Sequence, residues 1–207
     1  MAETATTPSS PWVEEKRKRR RQEILKAALR AFREKGYHAT TLDDIAEGLG
    51  VQKTALYHYF PDKEAILFSC HRDSVNEVCR LLEDAEQRFT SPVEKLRYLV
   101  RQHVRIMTDT LDGSPLAFEV PSLSDAHHAE IVAARDRYEV GMRGIIEAGI
   151  CQGVFRKVDP KLAAFALLGA VNWIARWYTP GGSLDGEQVG KEFADFLVGG
   201  LECNRTA

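Results

Sequence analysis

The sequence predicts an all-α protein. Apolar residues recur at spacings of three and four in almost every segment, as Ile24, Leu25, Ala28, Leu29 and Phe32 do near the N-terminus. The segments begin at capping residues or proline and end at glycine or proline, which are the start and stop signals of helices. The sequence contains no run of alternating polarity long enough to predict a strand.

The predicted helices follow one another along most of the 207 residues. They span about residues 16–35, 41–50, 52–60, 62–89, 92–110, 124–150, 160–178 and 184–201. The breaker Leu111-Asp112-Gly113-Ser114-Pro115 and an irregular piece over 116–123 interrupt them. We expect a Thr-, Ser- and Pro-rich disordered tail over 1–15, a first domain over 16–62, and a second domain over 63–207.

Charge is divided unevenly between the two ends. Residues 1–63 hold 12 Lys/Arg against 9 Asp/Glu, and residues 64–207 hold 16 against 21. The formal net charge of -2 therefore conceals a basic N-terminal region, in which Lys16–Arg21 are six consecutive cations. That run has two interpretations: the solvated start of a helix, or an arm that contacts phosphates or the minor groove.

Several classes of protein are excluded by composition. The chain has no apolar run of about 18 residues and no apolar segment near the N-terminus, so we expect no membrane span and no signal peptide. Four scattered cysteines are typical of a reduced, cytoplasmic setting. We predict no cofactor and no catalytic residue, because the motifs of phosphate loops and nucleophile elbows are absent. His127 and His128 diverge by about 100° on a helix, so we predict no metal site.

The clearest motif is a pair of short helices over 41–60 with a break at Gly50. Thr41 and Asp44 have the spacing of a capping box, and the turn after Gly50 is typical of a helix-turn-helix. The second helix combines an apolar side with donors for phosphates and base edges. These donors are Lys53, Thr54, Tyr57, His58 and Tyr59, and the apolar anchors are Val51, Leu56 and Phe60. An ordinary surface helix with aromatic packing is the alternative.

The segment from Thr40 to Leu67 resembles the DNA-binding domain of the TetR/AcrR family of bacterial repressors. The resemblance rests on the string Leu-Tyr-His-Tyr-Phe-x-x-Lys-Glu-x-x-Leu, which runs from Leu56 to Leu67, and on a similar first helix over 24–37. It implies an all-α homodimer that binds double-stranded operator DNA, with a three-helix reading domain and a divergent ligand-binding domain. It also implies that the protein is not an enzyme.

Individual DNA contacts follow from the resemblance, position by position. Thr40 and Thr41 match phosphate-contacting positions. Lys53, Thr54 and Tyr57 match positions that read bases or the adjacent backbone, and His58, Tyr59 and Lys63 match positions that grip phosphates. Gln52 departs from the Ser or Thr that many members have as a cap. Its amide is either a reader of adenine or a solvent-exposed group.

The predicted helix Pro160–Tyr178 carries five small residues: Ala163, Ala164, Ala166, Gly169 and Ala170. Small residues let two helices approach closely, and we expect the last two helices to pair with those of a second copy, as the family resemblance implies. An ordinary buried core helix is the alternative interpretation.

The segment from Asn172 to Leu184 resembles a branch of the family that regulates lipid, steroid or aromatic-acid breakdown and senses acyl-CoA thioesters. Its pattern Asn-Trp-x-x-x-Trp-(Tyr/Phe)-x-Pro-x-Gly-x-Leu is complete here. A CoA ester needs an apolar tunnel and cations for its phosphates. Candidate ligand residues are Met107, Phe118, Tyr138, Met142, Trp173 and Trp177 for the tunnel, and Arg101, Arg105 and Arg176, with Arg97, for the phosphates. Core packing and a solvated helix face are the alternatives.

Together these patterns predict a dimeric repressor that binds a palindromic operator and is released by a small molecule, with an acyl-CoA thioester as the expected effector. The long fourth helix joins both domains, and we expect it to act as the lever between them. Two alternatives stay open. One is a repressor of the same type that senses hydrophobic or cationic drugs and controls an efflux pump. The other is a helical enzyme or interaction module with no role on DNA.

Overall fold

A computed structural model describes residues 10–110 and 118–203 as helices joined by short connections. The predicted all-α class is confirmed: within these residues the only β pairing is an isolated bridge between Phe155 and Glu202. Contacts divide the chain into two compact units, Met1–Ile66 and Leu67–Ala207. Residues 1–9 of the predicted tail and the breaker Leu111–Pro115 lie outside the described residues. No described helix is long and apolar enough to cross a membrane.

Unit 1 contains three helices and the first turn of a fourth. They are α1 (Pro11–Lys35), α2 (Leu42–Gly48), α3 (Lys53–Tyr57) and the start of α4 (Lys63–Arg88). Helix α1 begins at Pro11, so the last five residues of the tail predicted over 1–15 are helical. Proline has the φ that a first helical residue needs, and Glu14 in the first turn interacts favourably with the helix dipole.

The core of unit 1 is largely apolar. It is formed from the buried side chains of Ile24, Leu25, Ala28, Phe32, Ile45, Leu56 and Phe60. Of the three anchors predicted around α3, Leu56 and Phe60 are buried, whereas Val51 is only half-buried. Burial of these side chains fixes α2 and α3 against α1, so that the remaining sides of the two short helices are presented to solvent.

Unit 2 continues α4 and adds four helices. The four helices are α5 (Pro92–Arg105), α6 (Asp125–Cys151), α7 (Pro160–Trp173) and α8 (Gly186–Gly199). Helix α5 continues into a π-helical turn (Ile106–Thr110), and α7 continues into a 3₁₀ turn (Ile174–Arg176). A further 3₁₀ turn (Val120–Ser122) precedes α6. Helix α5 is central, since it packs against α6, α7 and α8.

The last two helices are shorter than the sequence predicts. The helix expected over 160–178 ends at Trp173, and its final turn tightens into 3₁₀ geometry, as helix ends often do. The helix expected from Leu184 begins at Gly186, where the Asp185 side chain accepts a hydrogen bond of 2.7 Å from the Gln188 N–H. At the start of α7, Asp159 caps the N–H groups of Lys161 and Leu162 in the same way.

Candidate nucleic-acid interface and ligand cavity

Helices α2 and α3 form a helix-turn-helix in unit 1. Gly50 sits in the turn at a φ of 66°, a left-handed conformation that glycine adopts without steric cost. The next N–H, that of Val51, donates back to the Ala46 carbonyl at 3.0 Å. At the other end of α2 the predicted capping box is present: the Thr41 N–H donates to the Asp44 carboxylate at 2.7 Å, and the Asp44 N–H donates to the Thr41 hydroxyl oxygen at 3.2 Å.

The capping box also anchors α2 to α1. The Asp44 carboxylate accepts hydrogen bonds from the Lys35 ammonium and from the Thr41 hydroxyl. These two donors, with Lys35 the larger influence, hold the pKa of Asp44 far below its usual range, so the carboxylate stays charged. The entrance to the helix-turn-helix is therefore held by a network whose polar groups satisfy one another.

Most of the predicted DNA-contacting side chains lie on the open surface of unit 1. Thr41, Gln52, Thr54, Tyr57 and His58 are exposed, and Lys53 and Tyr59 are partly exposed. Tyr57 leaves 50% of its surface open, which is unusual for a large ring. The Lys53 ammonium lies 3.0 Å from Asp43 Oδ2, and this hydrogen bond raises the pKa of Lys53. The surface thus offers hydroxyl, amide, imidazole and ammonium donors.

Thr40 lies apart from that set. Its residue surface is only 1% exposed, and its hydroxyl donates to the Gly36 carbonyl at 2.7 Å and to the Ala31 carbonyl at 3.2 Å. The side chain closes the connection between α1 and α2 and does not face solvent. The structure therefore gives no support to Thr40 as a phosphate contact.

Lys63 also has its polar group directed at the protein. Its ammonium donates to the carbonyls of Tyr37, His38 and Thr40 at 2.7, 3.3 and 2.7 Å, and it lies 4.3 Å from the centre of the Tyr37 ring. An ammonium has three donors, and here all three are directed at the backbone of the α1–α2 connection. Lys63 positions this connection, so the structure does not support the predicted phosphate grip.

The basic run lies on α1 and is therefore helical. Lys16, Arg17, Lys18 and Arg19 are exposed, and Glu23 pairs with Arg19 and Arg20 at 3.4 and 2.7 Å. Arg21 differs from the others, because its guanidinium stacks 4.4 Å from the centre of the Phe60 ring. This cation–π contact ties the middle of α1 to Phe60, just after α3, and the sequence pattern did not indicate it.

Unit 2 encloses a cavity of about 290 Å³ that is lined by four helices. One part of its wall is apolar, with Val75, Val78, Met107, Phe165 and Leu168. The other part is polar, with His71, Ser74, His103, Arg135, Asp136, Tyr138, Glu139 and Asn172. A few polar groups in an apolar hollow are typical of a small-molecule site.

Four polar atoms of this wall are buried without a hydrogen-bond partner: His71 Nε2, His103 Nδ1, Tyr138 Oη and Glu139 Oε1. Burial, reinforced by the charge of Arg135, lowers the pKa of His71 to about 3 and that of His103 to about 4. Burial likewise raises the pKa of Tyr138. Both imidazoles are consequently neutral near pH 7, and the Tyr138 hydroxyl keeps its proton.

The predicted tunnel residues are only partly brought together. Met107 and Tyr138 line the cavity, whereas Met142 is buried but is not among the lining residues. Phe118, Trp173 and Arg176 form a separate, exposed cluster, with ring centres 6.1 Å apart and the guanidinium 4.3 Å from the Phe118 centre. Trp177 packs against the Phe193 ring at 6.1 Å. None of these four residues is among those that line the cavity.

The sequence did not single out His71, His103 or Arg135 as ligand residues. These three residues stand out only in the folded structure, where α4, α5 and α6 bring them to one cavity. A local sequence pattern does not show which distant residues will come together. His127 lies elsewhere in unit 2, stacked on Phe68 with ring centres 3.7 Å apart. Across the described residues, no three His, Cys, Asp or Glu side chains are arranged to hold a metal ion.

The predicted arginine stripe does share one face of α5. Arg97, Arg101 and Arg105 line a second, more open cavity of about 600 Å³, which is also bordered by Glu94, Asp109 and Glu187. Arg97 forms ion pairs with Asp195 of α8 and Glu202, and Arg105 lies 3.8 Å from Asp109. Arg97 thus joins α5 to α8, and the anions around the stripe reduce its attraction for phosphate.

The outer side of α7 and α8 is apolar. Leu162 is 67% exposed, Trp173 57% and Phe196 82%. Leu162 and Phe196 border a shallow groove of about 530 Å³, whose lining is mostly Ala, Leu and Gly from the two helices. An exposed apolar face of this extent usually marks a surface that another molecule covers.

The helix-turn-helix and the helical unit with an enclosed cavity together define a DNA-binding regulator. Residues 24–70 match the model for bacterial regulatory proteins of the tetR family, and residues 90–201 match the model for the tetracyclin repressor-like C-terminal domain. The chain belongs to the TetR family of transcriptional regulators. The predicted resemblance is confirmed, and family membership rules against the helical-enzyme alternative.

Relatives and solved structures agree with this assignment. The HTH-type transcriptional repressor KstR2 of Rhodococcus jostii strain RHA1 is 31% identical over 199 residues, covering 88% of this chain and 91% of that protein. The structure of the ketosteroid transcriptional regulator KstR2 of Mycobacterium tuberculosis aligns with a TM-score of 0.82 at 27% identity, over 89% and 96% of the two chains. AibR in complex with isovaleryl coenzyme A and operator DNA aligns at 0.73, with 29% identity over 88% and 98%.

Proposed function

We propose that this regulator is a repressor that binds a palindromic operator as a homodimer and leaves it when an acyl-CoA thioester binds to unit 2. The observation that carries the DNA part is the exposed set on and around α3. Lys53, Thr54 and Tyr57 project from a helix whose other side is fixed by Leu56 and Phe60. A helix held in this way can enter the major groove without rearranging.

The DNA interface that we propose consists of Thr41, Gln52, Lys53, Thr54, Tyr57, His58 and Tyr59. Thr40 and Lys63 are left out, because their polar groups are already bonded to backbone carbonyls. Lys16–Arg19 on α1 add exposed cations that strengthen binding without reading sequence. We expect affinity to come mainly from a few placed contacts, which the dimer doubles.

Dimerisation through α7 and α8 is supported by their apolar outer side. Leu162, Trp173 and Phe196 are large, exposed and apolar, and a twofold axis would place each against the same helices of a second copy. Covering them would remove a surface that otherwise favours aggregation. Two recognition helices would then meet two half-sites of one operator.

The effector class is supported by likeness to AibR, whose structure holds isovaleryl coenzyme A together with operator DNA. The cavity of about 290 Å³ is too small for a nucleotide and a pantetheine arm, and it suits the acyl end of a thioester. The exposed Arg101, Arg105 and Arg176 remain candidates for the phosphates. Ligand binding releases DNA only if the DNA-bound state binds the ligand more weakly.

A titration of the protein against its own upstream DNA tests the repressor. Fluorescence anisotropy should give an affinity that falls steeply with salt, since phosphate contacts release counterions. Acyl-CoA thioesters of increasing acyl size should then lower the anisotropy, while free coenzyme A should not. Unmeasurable affinity, or affinity without a salt slope, would exclude a DNA-binding repressor. Release by none of the thioesters would exclude the effector class alone.

A drug-sensing repressor is a second candidate, because Asp136 and Glu139 both line the cavity. The positive charge of Arg135 offsets part of their negative charge, and the two neutral histidines add no charge. A cationic drug could therefore find a favourable electrostatic environment in this space. A thermal-shift comparison of acyl-CoA thioesters with lipophilic cations separates the two, since only the true effector class raises the melting temperature at micromolar concentration.

A further inference from the structure

The cavity wall in unit 2 has several buried polar atoms without a hydrogen-bond partner, which is unusual for the interior of a native protein. Buried polar groups in native proteins nearly always have a hydrogen-bond partner. Here four such atoms lack one: His71 Nε2 from α4, His103 Nδ1 from α5, and Tyr138 Oη and Glu139 Oε1 from α6. His71, His103 and Tyr138 are each more than nine-tenths buried. Their convergence on one space points to a ligand that supplies the missing partners.

These groups offer both donors and acceptors. A neutral imidazole has one nitrogen that donates and one that accepts, a phenol does both, and a carboxylate oxygen accepts. Arg135 adds a positive charge to the same wall. Oxygen atoms of hydroxyl, keto or carboxyl groups are the natural complements of such a set. A methylene group satisfies none of them.

The size of the cavity limits what can reach these atoms. About 290 Å³ corresponds to roughly ten water molecules at about 30 Å³ each. A small ring or a short chain of about ten heavy atoms fits, against the apolar wall of Val75, Val78 and Met107. Water can occupy such a space in the unliganded protein, and a ligand that displaces ordered water has to reproduce its hydrogen bonds.

We propose that the cavity selects effectors whose buried end carries oxygen: a hydroxylated, keto-bearing or carboxylated ring or short acyl group, and not a plain alkyl chain. The inference rests on the proposed function, because it names the chemistry of the acyl end at that same site. It assigns His71, His103 and Tyr138 as the residues that determine effector specificity.

The first experiment uses free ring compounds, so that it does not depend on coenzyme A. Phenol and toluene have the same size and differ by one polar group. Ligand-observed NMR on the full-length protein should show phenol binding roughly 5- to 150-fold more tightly, the range expected when buried polar atoms are or are not paired. Equal binding, or tighter binding of toluene, would overturn the proposal.

Single substitutions test which residues cause the preference for phenol over toluene. Tyr138→Phe removes only the buried hydroxyl, and His103→Gln exchanges the imidazole for an amide. At least one should reduce the phenol preference by about tenfold. Tyr98→Phe is the matched control, because its hydroxyl lies 3.3 Å from Asp84 and outside this cavity, and it should leave the preference unchanged. A preference that survives both cavity substitutions would overturn the assignment of these residues.

A pair of thioesters separates this inference from the proposed function. Cyclohexanecarbonyl-CoA and 4-hydroxycyclohexanecarbonyl-CoA differ by one hydroxyl. Tighter binding of the hydroxylated ester, with release of operator DNA, supports both. Equal binding of the two overturns the inference and leaves the effector class intact. If neither thioester binds while phenol is still preferred to toluene, the thioester class is wrong and the oxygen-selective cavity stands.

Discussion

The two units of this regulator use their polar side chains in opposite ways. In unit 1, Thr41, Asp44, Lys35 and Lys63 bond to one another or to backbone carbonyls, and the helix-turn-helix is fixed before DNA arrives. In unit 2, four polar atoms around one cavity have no partner. The comparison indicates that the helix-turn-helix is held in place by its own polar groups, whereas our proposal has the cavity completed by the ligand that binds in it.

The largest expected effect concerns the outer face of unit 2. Phe196→Asp should raise the dimer dissociation constant by about 1000-fold, because a twofold interface places two carboxylates in an apolar contact. Analytical ultracentrifugation of the variant should show monomers at concentrations where the wild type is dimeric.

Val140→Asp is the matched control for this change. Val140 is 52% exposed, but it lies on α6 and away from the groove of α7 and α8. If Phe196→Asp stayed dimeric, or if Val140→Asp also dissociated, the assigned face would be wrong.

A smaller effect is expected from the reading surface of unit 1. Tyr57→Ala should weaken operator binding by about 100-fold, since each half-site loses one contact of about 1–3 kcal/mol. The melting temperature and the dimer should not change, because half of the Tyr57 surface is already open. Anisotropy and calorimetry check the two parts. Lys157→Ala, a change at an exposed residue of unit 2, is the control and should have no effect on DNA affinity. A lower melting temperature for Tyr57→Ala would instead place the Tyr57 ring in the core.

Lys63 distinguishes a positioning residue from a DNA contact. Lys63→Ala leaves three carbonyls of the α1–α2 connection without their donor, and we expect the free energy of unfolding to fall by about 1–3 kcal/mol. Urea denaturation measures it. Lys53→Ala is the comparison, because it should reduce DNA affinity without reducing stability. Unchanged stability of Lys63→Ala, together with lost DNA affinity, would restore the predicted phosphate contact.

Unit 2 should also give the stability of the protein a pH dependence. The folded state holds the pKa of His71 at about 3 and of His103 at about 4, below the 6.5 of an ordinary histidine. Between pH 6.5 and 5 the unfolded chain therefore binds more protons than the folded protein, and stability falls as pH falls. The slope approaches about 1.4 kcal/mol per pH unit for each histidine.

Urea denaturation between pH 7.5 and 5 tests this slope. His103→Gln should flatten it, and substitution of the exposed His128 by Gln should not. A wild-type stability that is constant across this interval would contradict the burial of the two neutral imidazoles.

The same comparison explains how far the sequence could be interpreted alone. The helix-turn-helix depends on signals that are close together in the chain: the Thr41–Asp44 capping box, Gly50 in the turn, and the spacing of Leu56 and Phe60. These local signals predicted the elements and most of the exposed side chains. They could not show that the Thr40 hydroxyl points inward, or that Lys63 reaches back across more than twenty residues to Tyr37.

The cavity depends on groups that are distant in sequence. His71, His103 and Arg135 lie on three different helices, and only the packing of those helices places them on one wall. Met107 and Tyr138 were predicted as tunnel residues from the resemblance to regulators that sense acyl-CoA thioesters, and both line the cavity. Phe118 and Trp173 were predicted for the same tunnel, but both side chains are exposed and neither lines the cavity.

The central claim, that ligand in unit 2 and DNA at unit 1 oppose each other, is tested most directly by reciprocity. Isothermal titration calorimetry gives the affinity of 4-hydroxycyclohexanecarbonyl-CoA for the free protein and for the protein saturated with operator DNA. If ligand binding lowers the affinity for DNA, bound DNA has to lower the affinity for the ligand by the same factor. We expect this factor to be roughly 5- to 150-fold. Equal affinity in the two titrations would contradict the account.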